Sequence, residues 1–142
     1  MSGNRTLAII KPDAFARGNA GNIIALLEQQ GFKLKAARVL RLTPPQAEAF
    51  YEVHRERPFY RSLTEFMTSG PCMPLVLQRE GAVPALREAI GATDPREAQD
   101  GTVRKLYAES KERNAIHASD SNENAAREIA FFFADADLQA GG

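Results

Sequence analysis

The chain has 142 residues, enough for one compact domain with a real core and too few for two of ordinary size. Lysine and arginine together number 18, as do aspartate and glutamate, so the formal net charge is zero. No basic stretch marks a nucleic-acid or membrane surface, and any anion site must be built locally. The single cysteine, Cys72, excludes an internal disulfide and fits a reducing compartment. No run approaches the about 18 apolar residues of a membrane span, and the apolar run near the start is too short for a signal peptide. The expectation is one cytoplasmic domain over residues 1–142, with no membrane partner and no obligatory nucleic acid.

"TLAIIK" (Thr6 to Lys11), stopped by Pro12, reads as a strand buried on both faces. Ala20, Ile23, Ile24 and Leu27 follow at helical spacing, with Gly31 where a C-cap belongs. "FKLKAARVLRL" (Phe32 to Leu42) alternates, with a phase slip at Ala36-Ala37 that predicts a bulge. Thr43-Pro44-Pro45-Gln46 has the spacing of a capping box and predicts a helix to about His54. Pro58 breaks it, and a short helix is expected over Arg61 to Thr68. "CMPLVLQRE" reads as a strand that either starts at Leu75 or aims the missing donor of Pro74 away from a partner.

Val83 to Ile90 predicts a helix closed by Gly91, and the segment from Gly91 to Asn114 reads as a long irregular loop. Ala115 to His117 is a brief strand, followed by a helix capped by Asp120 with Glu123 and buried along Ala125, Ile129, Phe132 and Phe133. The closing "LQAGG" is expected to fray. The order is that of an α+β, ferredoxin-like split βαβ fold: a four-stranded antiparallel sheet with helices on one face and an inserted helical hairpin.

The chain lacks a P-loop lysine, clustered cysteines, paired histidines at metal-ligand spacing and a nucleophile elbow. What remains is scattered: Lys11 at a strand end, Arg87 on a helix, Thr93 and Arg104 in the long loop, and Asn114 ahead of His117. On residue type alone, His117 is either a nucleophile or a satisfied side chain at a strand end, and both arginines read equally well as solvated surface. Tyr51 and Phe59 would be half-buried packing, and His54, on the same helical face as Tyr51, structural.

The segment "NAIHASD" (Asn114 to Asp120) resembles the active-site signature of nucleoside diphosphate kinases of the bacterial type. "RTLAIIKPDA" resembles that family's first strand, "YEVHRERPFY" its hairpin tip, "FMTSGP" the entry to its third strand, and "REAIGATDPREAQDGTVR" its substrate-gripping helix and loop. The blocks follow the family's order over nearly the whole chain.

The resemblance implies a freely reversible, ping-pong transfer of a γ-phosphoryl group through phosphohistidine at His117. It further implies that Lys11, Tyr51, Arg87, Thr93, Arg104 and Asn114 contact phosphates and ribose. Phe59 would stack on the base with little discrimination, and Ser119 and Glu128 would hold the histidine. Mg²⁺ would arrive on the nucleotide phosphates without direct protein ligands, and the chain would form a tetramer or hexamer. The sequence departs from the family's pattern at Ala118, Asp94, Lys111 and Pro74, with Asp94 bringing negative charge beside Thr93 and Lys111 standing at the base slot. A non-catalytic nucleotide-binding module on the same fold is the alternative; a helical phosphotransfer domain is disfavoured by the strand-like runs.

Overall fold

The computed structural model describes residues 4–139. Four strands, β1 (Arg5–Ile10), β2 (Lys33–Ala37), β3 (Met73–Gln78) and β4 (Ile116–Ala118), form one sheet in the order β2-β3-β1-β4 with every neighbouring pair antiparallel. Strands β1 and β2 therefore run parallel with β3 between them, and β3 and β4 parallel with β1 between them. These are the two interleaved split βαβ units expected. Their crossovers are α2 (Ala20–Gln29) and α5 (Ala82–Ile90). The hairpin of α3 (Pro44–Phe50) and α4 (Tyr60–Met67) is inserted between β2 and β3, and α7 (Asn122–Phe132) follows β4.

Helices cover both faces of the sheet, not one. In β1, Ala8 and Ile10 face a cluster built with Ile23, Leu27, Leu86 and Ile90 of α2 and α5. Leu7 and Ile9 point the other way, into a cluster with Ala47, Phe50, Phe66, Met67, Ile129 and Phe132 of α3, α4 and α7. All four strand residues are fully buried. Leaving the second face bare would forfeit roughly 1.5–3 kcal/mol for each of Leu7, Ile9 and Val76. The continuous apolar run of β1 already required two covers; the inserted hairpin and the last helix supply the second.

Local chemistry explains where the elements begin and end. Thr43 Oγ1 accepts from Gln46 N at 3.3 Å while Gln46 Oε1 accepts from Thr43 N at 2.9 Å, the reciprocal box that starts α3. That helix ends at Phe50 and tightens into a 3₁₀ turn over Glu52–His54. Strand β2 stops at Ala37 instead of Leu42, and its bulge falls between Leu34 and Ala36, with Lys35 the extra residue. Pro74 lies inside β3 opposite Ile9, and its carbonyl accepts from Arg38 N at 3.2 Å. A residue's N and C=O point to the same edge, so the missing donor faces the stretch where the β2 ladder has already broken. Pairing resumes only at Leu40 with Cys72.

Helix α7 is capped by Ser121, whose Oγ accepts from Asn124 N at 3.0 Å, and not by the expected Asp120 and Glu123. Asp120 instead accepts from the Asn124 side chain at 2.6 Å. The segment expected to be irregular contains α6 (Val103–Tyr107), started by Thr102 Oγ1 accepting from Lys105 N at 3.3 Å. Two further short helices, α1 (Pro12–Ala16) and α8 (Asp135–Gln139), are too brief to show a period in sequence. The end expected to fray is thus helical as far as Gln139, and its remaining residues lie outside those described. Among the described residues no helix is long and apolar enough to cross a membrane.

Candidate active site

His117 sits at the middle of β4, between two residues buried on the α2/α5 side, so alternation turns its ring to the opposite face. There the ring meets Phe50 edge-on, with centroids 5.5 Å apart, and Tyr51 at 6.2 Å. Its Nε2 lies 2.8 Å from Glu128 Oε1, delivered by α7. Ser119 Oγ donates to the same oxygen at 2.8 Å, and its backbone N is fixed by Leu7 O at 3.1 Å. Burial pushes the Glu128 carboxyl up, but the His117 and Ser119 hydrogen bonds and the charge of Arg127 outweigh it, and the net direction is down. An ionised carboxylate only accepts, so Nε2 is the donor of this bond; in the neutral ring Nδ1 then keeps its lone pair, and it has no hydrogen-bond partner among the described residues.

The backbone just before His117 is strained. Ala115 has φ +76°, the one positive φ outside glycine among the described residues, and Ile116 N bonds Asn114 O at 2.9 Å across it. Such a three-residue turn costs a non-glycine residue on the order of 1–3 kcal/mol and persists only where its surroundings hold it. It swings Asn114 out of line with β4. The Asn114 Oδ1 then accepts from Lys11 Nζ at 2.8 Å, and its Nδ2 donates to Thr93 O at 3.3 Å.

Lys11 follows β1 and is buried; desolvation, helped by Arg104 and opposed by Asp13 and Glu112, pushes its ammonium down to about 8. Arg104, on α6, donates to Gly91 O at 3.0 Å and to Ile116 O at 2.8 Å. Burial and the neighbouring Arg87 lower it to about 10. Arg87, in the last turn of α5, reaches Ala118 O at 3.4 Å.

These groups surround a cavity of about 410 Å³ lined by Lys11, Tyr51, Thr93, Arg104, Asn114 and His117. Phe59, Leu63 and His54 of the hairpin line it too, as do Lys111 and Glu112 of the loop before β4. Phe59 is 42 % exposed, with the Arg57 guanidinium 5.7 Å from its ring. Ser62 Oγ donates to Glu112 Oε2 at 2.6 Å, tying the hairpin to that loop. The Tyr51 hydroxyl and Arg104 Nε are buried with no protein partner among the described residues, and burial drives the phenol well above its usual range. Donors and cations dominate the polar lining, which suits an anion. Among the described residues no three of His, Cys, Asp and Glu gather to hold a metal ion.

The residues singled out from sequence thus converge from β1, α3, α6, β4 and the loops beside them, while Ser119 and Glu128 stand behind the histidine. Arg87, expected to contact phosphate, is absent from the lining and lies beside it. His54, read from sequence as structural, lines the cavity between Tyr51 at 6.5 Å and Phe59 at 5.4 Å. The three-residue spacing from Tyr51 was the available signal, since it puts both rings on one face. Asp94 does not leave loose charge beside Thr93. Arg96 binds it through Nε at 3.2 Å, Nη2 at 2.8 Å and backbone N at 2.9 Å, holding its carboxyl down at about 2.

A family model described as nucleoside diphosphate kinase matches residues 4–138. A nucleoside diphosphate kinase of Desulfatibacillum aliphaticivorans is 53 % identical over 134 residues, covering 94 % of this chain and 97 % of that one. One of Chlorobaculum tepidum is 55 % identical over 130 residues, covering 92 % and 93 %. The crystal structure of the Aquifex aeolicus nucleoside diphosphate kinase superposes with a TM-score of 0.93 at 46 % identity, covering 95 % of this chain and 98 % of the other.

Proposed function

This chain belongs to the nucleoside diphosphate kinase family, and we propose that it transfers the γ-phosphoryl group of a nucleoside triphosphate, mainly ATP, to a nucleoside diphosphate through phosphohistidine at His117. The observation that carries this is the tether from Nε2 to Glu128, which leaves Nδ1 as the nucleophile in a cavity to which Lys11, Thr93, Arg104 and Asn114 also bring phosphate-binding groups. The Nδ1 lone pair attacks the γ-phosphorus, the bond from phosphorus to the bridging β–γ oxygen breaks, and the diphosphate leaves with that electron pair. The ring gains positive charge as the new bond forms. Glu128 stabilises it from the far side, and Ser119 holds the carboxylate in place.

Lys11, Arg104, Arg87, Thr93 and Asn114 offer positive and hydrogen-bonding groups to the phosphate oxygens and the ribose. The unpartnered Tyr51 hydroxyl is a further donor. The second nucleoside diphosphate reverses the steps, one anhydride replaces its like, and the equilibrium constant lies near unity. Phe59 offers a ring face and no edge-specific hydrogen bonds, so all bases are accepted. The lining fits phosphate and not a directly bound cation. Mg²⁺ therefore enters as part of the nucleotide, where it neutralises phosphate charge.

The family resemblance supports an enzyme that works in the cytoplasm, among its nucleotides, as a tetramer or hexamer, with the segment from Asp94 to Arg113 helping to join the copies.

The test is incubation with γ-labelled ATP and magnesium, then a chase with a different nucleoside diphosphate. An acid-labile, alkali-stable label that moves to the chase and is absent from His117→Ala is expected. Nucleotide binding with no label would make the protein a binding module and sink the proposal.

A further inference from the structure

Asp13 does not line the cavity and acts on it directly only through its charge near Lys11, yet it is almost fully buried in α1. Its Oδ2 accepts from Ala115 N at 3.1 Å, a bond between residues 102 apart in sequence. One residue pair earlier in the same segment, Lys11 N donates to Ala115 O at 2.9 Å. Both main-chain polar groups of the strained Ala115 are therefore held by the segment that follows β1. Asp13 Oδ1 has no hydrogen-bond partner among the described residues.

A carboxylate with half its acceptors idle is expensive to bury, so something must need the other half. Its position in the first turn of α1 would suit a helix cap, but its side chain bonds no amide of that helix. What it serves is the Ala115 amide, which a left-handed residue turns out of the β1–β4 ladder and which would otherwise be buried unpaired. We propose that Asp13 is a positioning residue: it holds Ala115 left-handed and so sets where Asn114, Lys11 and His117 stand relative to one another. Without that anchor the turn relaxes to negative φ. Asn114 and the start of β4 move with it, and in-line attack by Nδ1 degrades although no group that touches nucleotide has been lost.

This role presupposes phosphoryl transfer at His117, and the experiment lets the two fail separately. Single-turnover phosphoenzyme formation and steady-state kcat and KM are measured for the unsubstituted chain, Asp13→Ala, Asp13→Asn and Asp13→Ala with Ala115→Gly. Asp13→Ala is expected to slow phosphoenzyme formation by about 10- to 100-fold with a much smaller change in KM. Asp13→Asn, whose amide oxygen can still accept from Ala115 N, lies closer to the unsubstituted rate than to Asp13→Ala.

Adding Ala115→Gly to Asp13→Ala recovers at least about fivefold, because glycine takes the left-handed conformation unaided. A merely structural aspartate would show no such rescue. A folded Asp13→Ala with undiminished rate, or a double variant no faster than Asp13→Ala, overturns the proposal. If Asp13→Ala does not fold, Asp13→Ser, too short to reach Ala115 N, takes its place.

Amide hydrogen exchange at Ala115 reads the anchor without catalysis. Slow exchange in the unsubstituted chain and much faster exchange in Asp13→Ala is expected, and equal rates overturn it. If the unsubstituted chain forms no phosphoenzyme, the phosphohistidine proposal fails while this exchange measurement still decides the role of Asp13.

Discussion

Replacing Glu128 by glutamine separates the two contributions it makes behind His117. The amide keeps the side-chain length and can still accept from Nε2 across the 2.8 Å contact, but the negative charge is gone. A hydrogen bond to a charged group contributes about 1.5–3 kcal/mol net and a neutral one about 0.5–1.5 kcal/mol. The difference, roughly 1–1.5 kcal/mol, is felt as the ring gains charge, so Glu128→Gln slows phosphoenzyme formation roughly 5- to 10-fold. Glu128→Ala loses the whole bond and slows it roughly 10- to 150-fold.

Glu128 lies behind the ring and does not line the cavity, so KM for nucleotide changes little in either variant. Rapid-quench single turnovers with γ-labelled ATP near neutral pH give the rates. A Gln variant as fast as the unsubstituted chain would mean that charge plays no part, and a raised KM at unchanged kcat would mean that Glu128 binds nucleotide. Either result refutes the reasoning. Stability supplies a second readout. The folded carboxyl titrates below its ordinary range, so its contribution is present above the unfolded value and is lost as pH falls through the folded one. The difference in Tm between the unsubstituted chain and Glu128→Gln should therefore narrow in acid.

Lys11 should set the alkaline limb of kcat/KM, with an apparent value near 8 in the free enzyme. Between about 8 and the ordinary lysine value the unfolded chain binds the extra proton, so this residue favours folding as pH rises while activity falls. Lys11→Met should abolish transfer yet raise stability by up to about 1 kcal/mol in thermal melts, since it removes a desolvated ammonium; a lower Tm would contradict that. Phe59→Ala should raise KM about fivefold, the low end for stacking because the ring is partly exposed, and by a similar factor for every base. A loss confined to one base would point to edge recognition. Arg96→Ala should expose the Asp94 charge beside Thr93 and raise KM about two- to threefold, with recovery on adding Asp94→Asn; no recovery would show that Arg96 acts otherwise.

Features carried by neighbouring residues could be read from the sequence. The Thr43–Gln46 box, the continuous apolar run of β1 and the helix closed by Gly91 need only residues a few positions apart, and all three stand as expected. Residues that line the candidate site could be picked out as well, because "NAIHASD", the lysine after β1 and Arg104 sit in short stretches whose order the family shares. Where two local solutions compete, sequence alone chose less well. Ser121 and Asp120 are both good caps, and the structure uses Ser121.

Tertiary structure decided what depends on residues brought together from far apart. That helices cover both faces follows from where the inserted hairpin and α7 pack, which no local period encodes. His54 joins the cavity only because the hairpin folds over β4, and Asp94 is neutralised only by the turn that presents Arg96. Asp13 looks like an ordinary helix-start aspartate until the fold places its carboxylate against Ala115, 102 residues further on. A left-handed alanine leaves no mark in sequence, since its strain is held by contacts and not by its own preference.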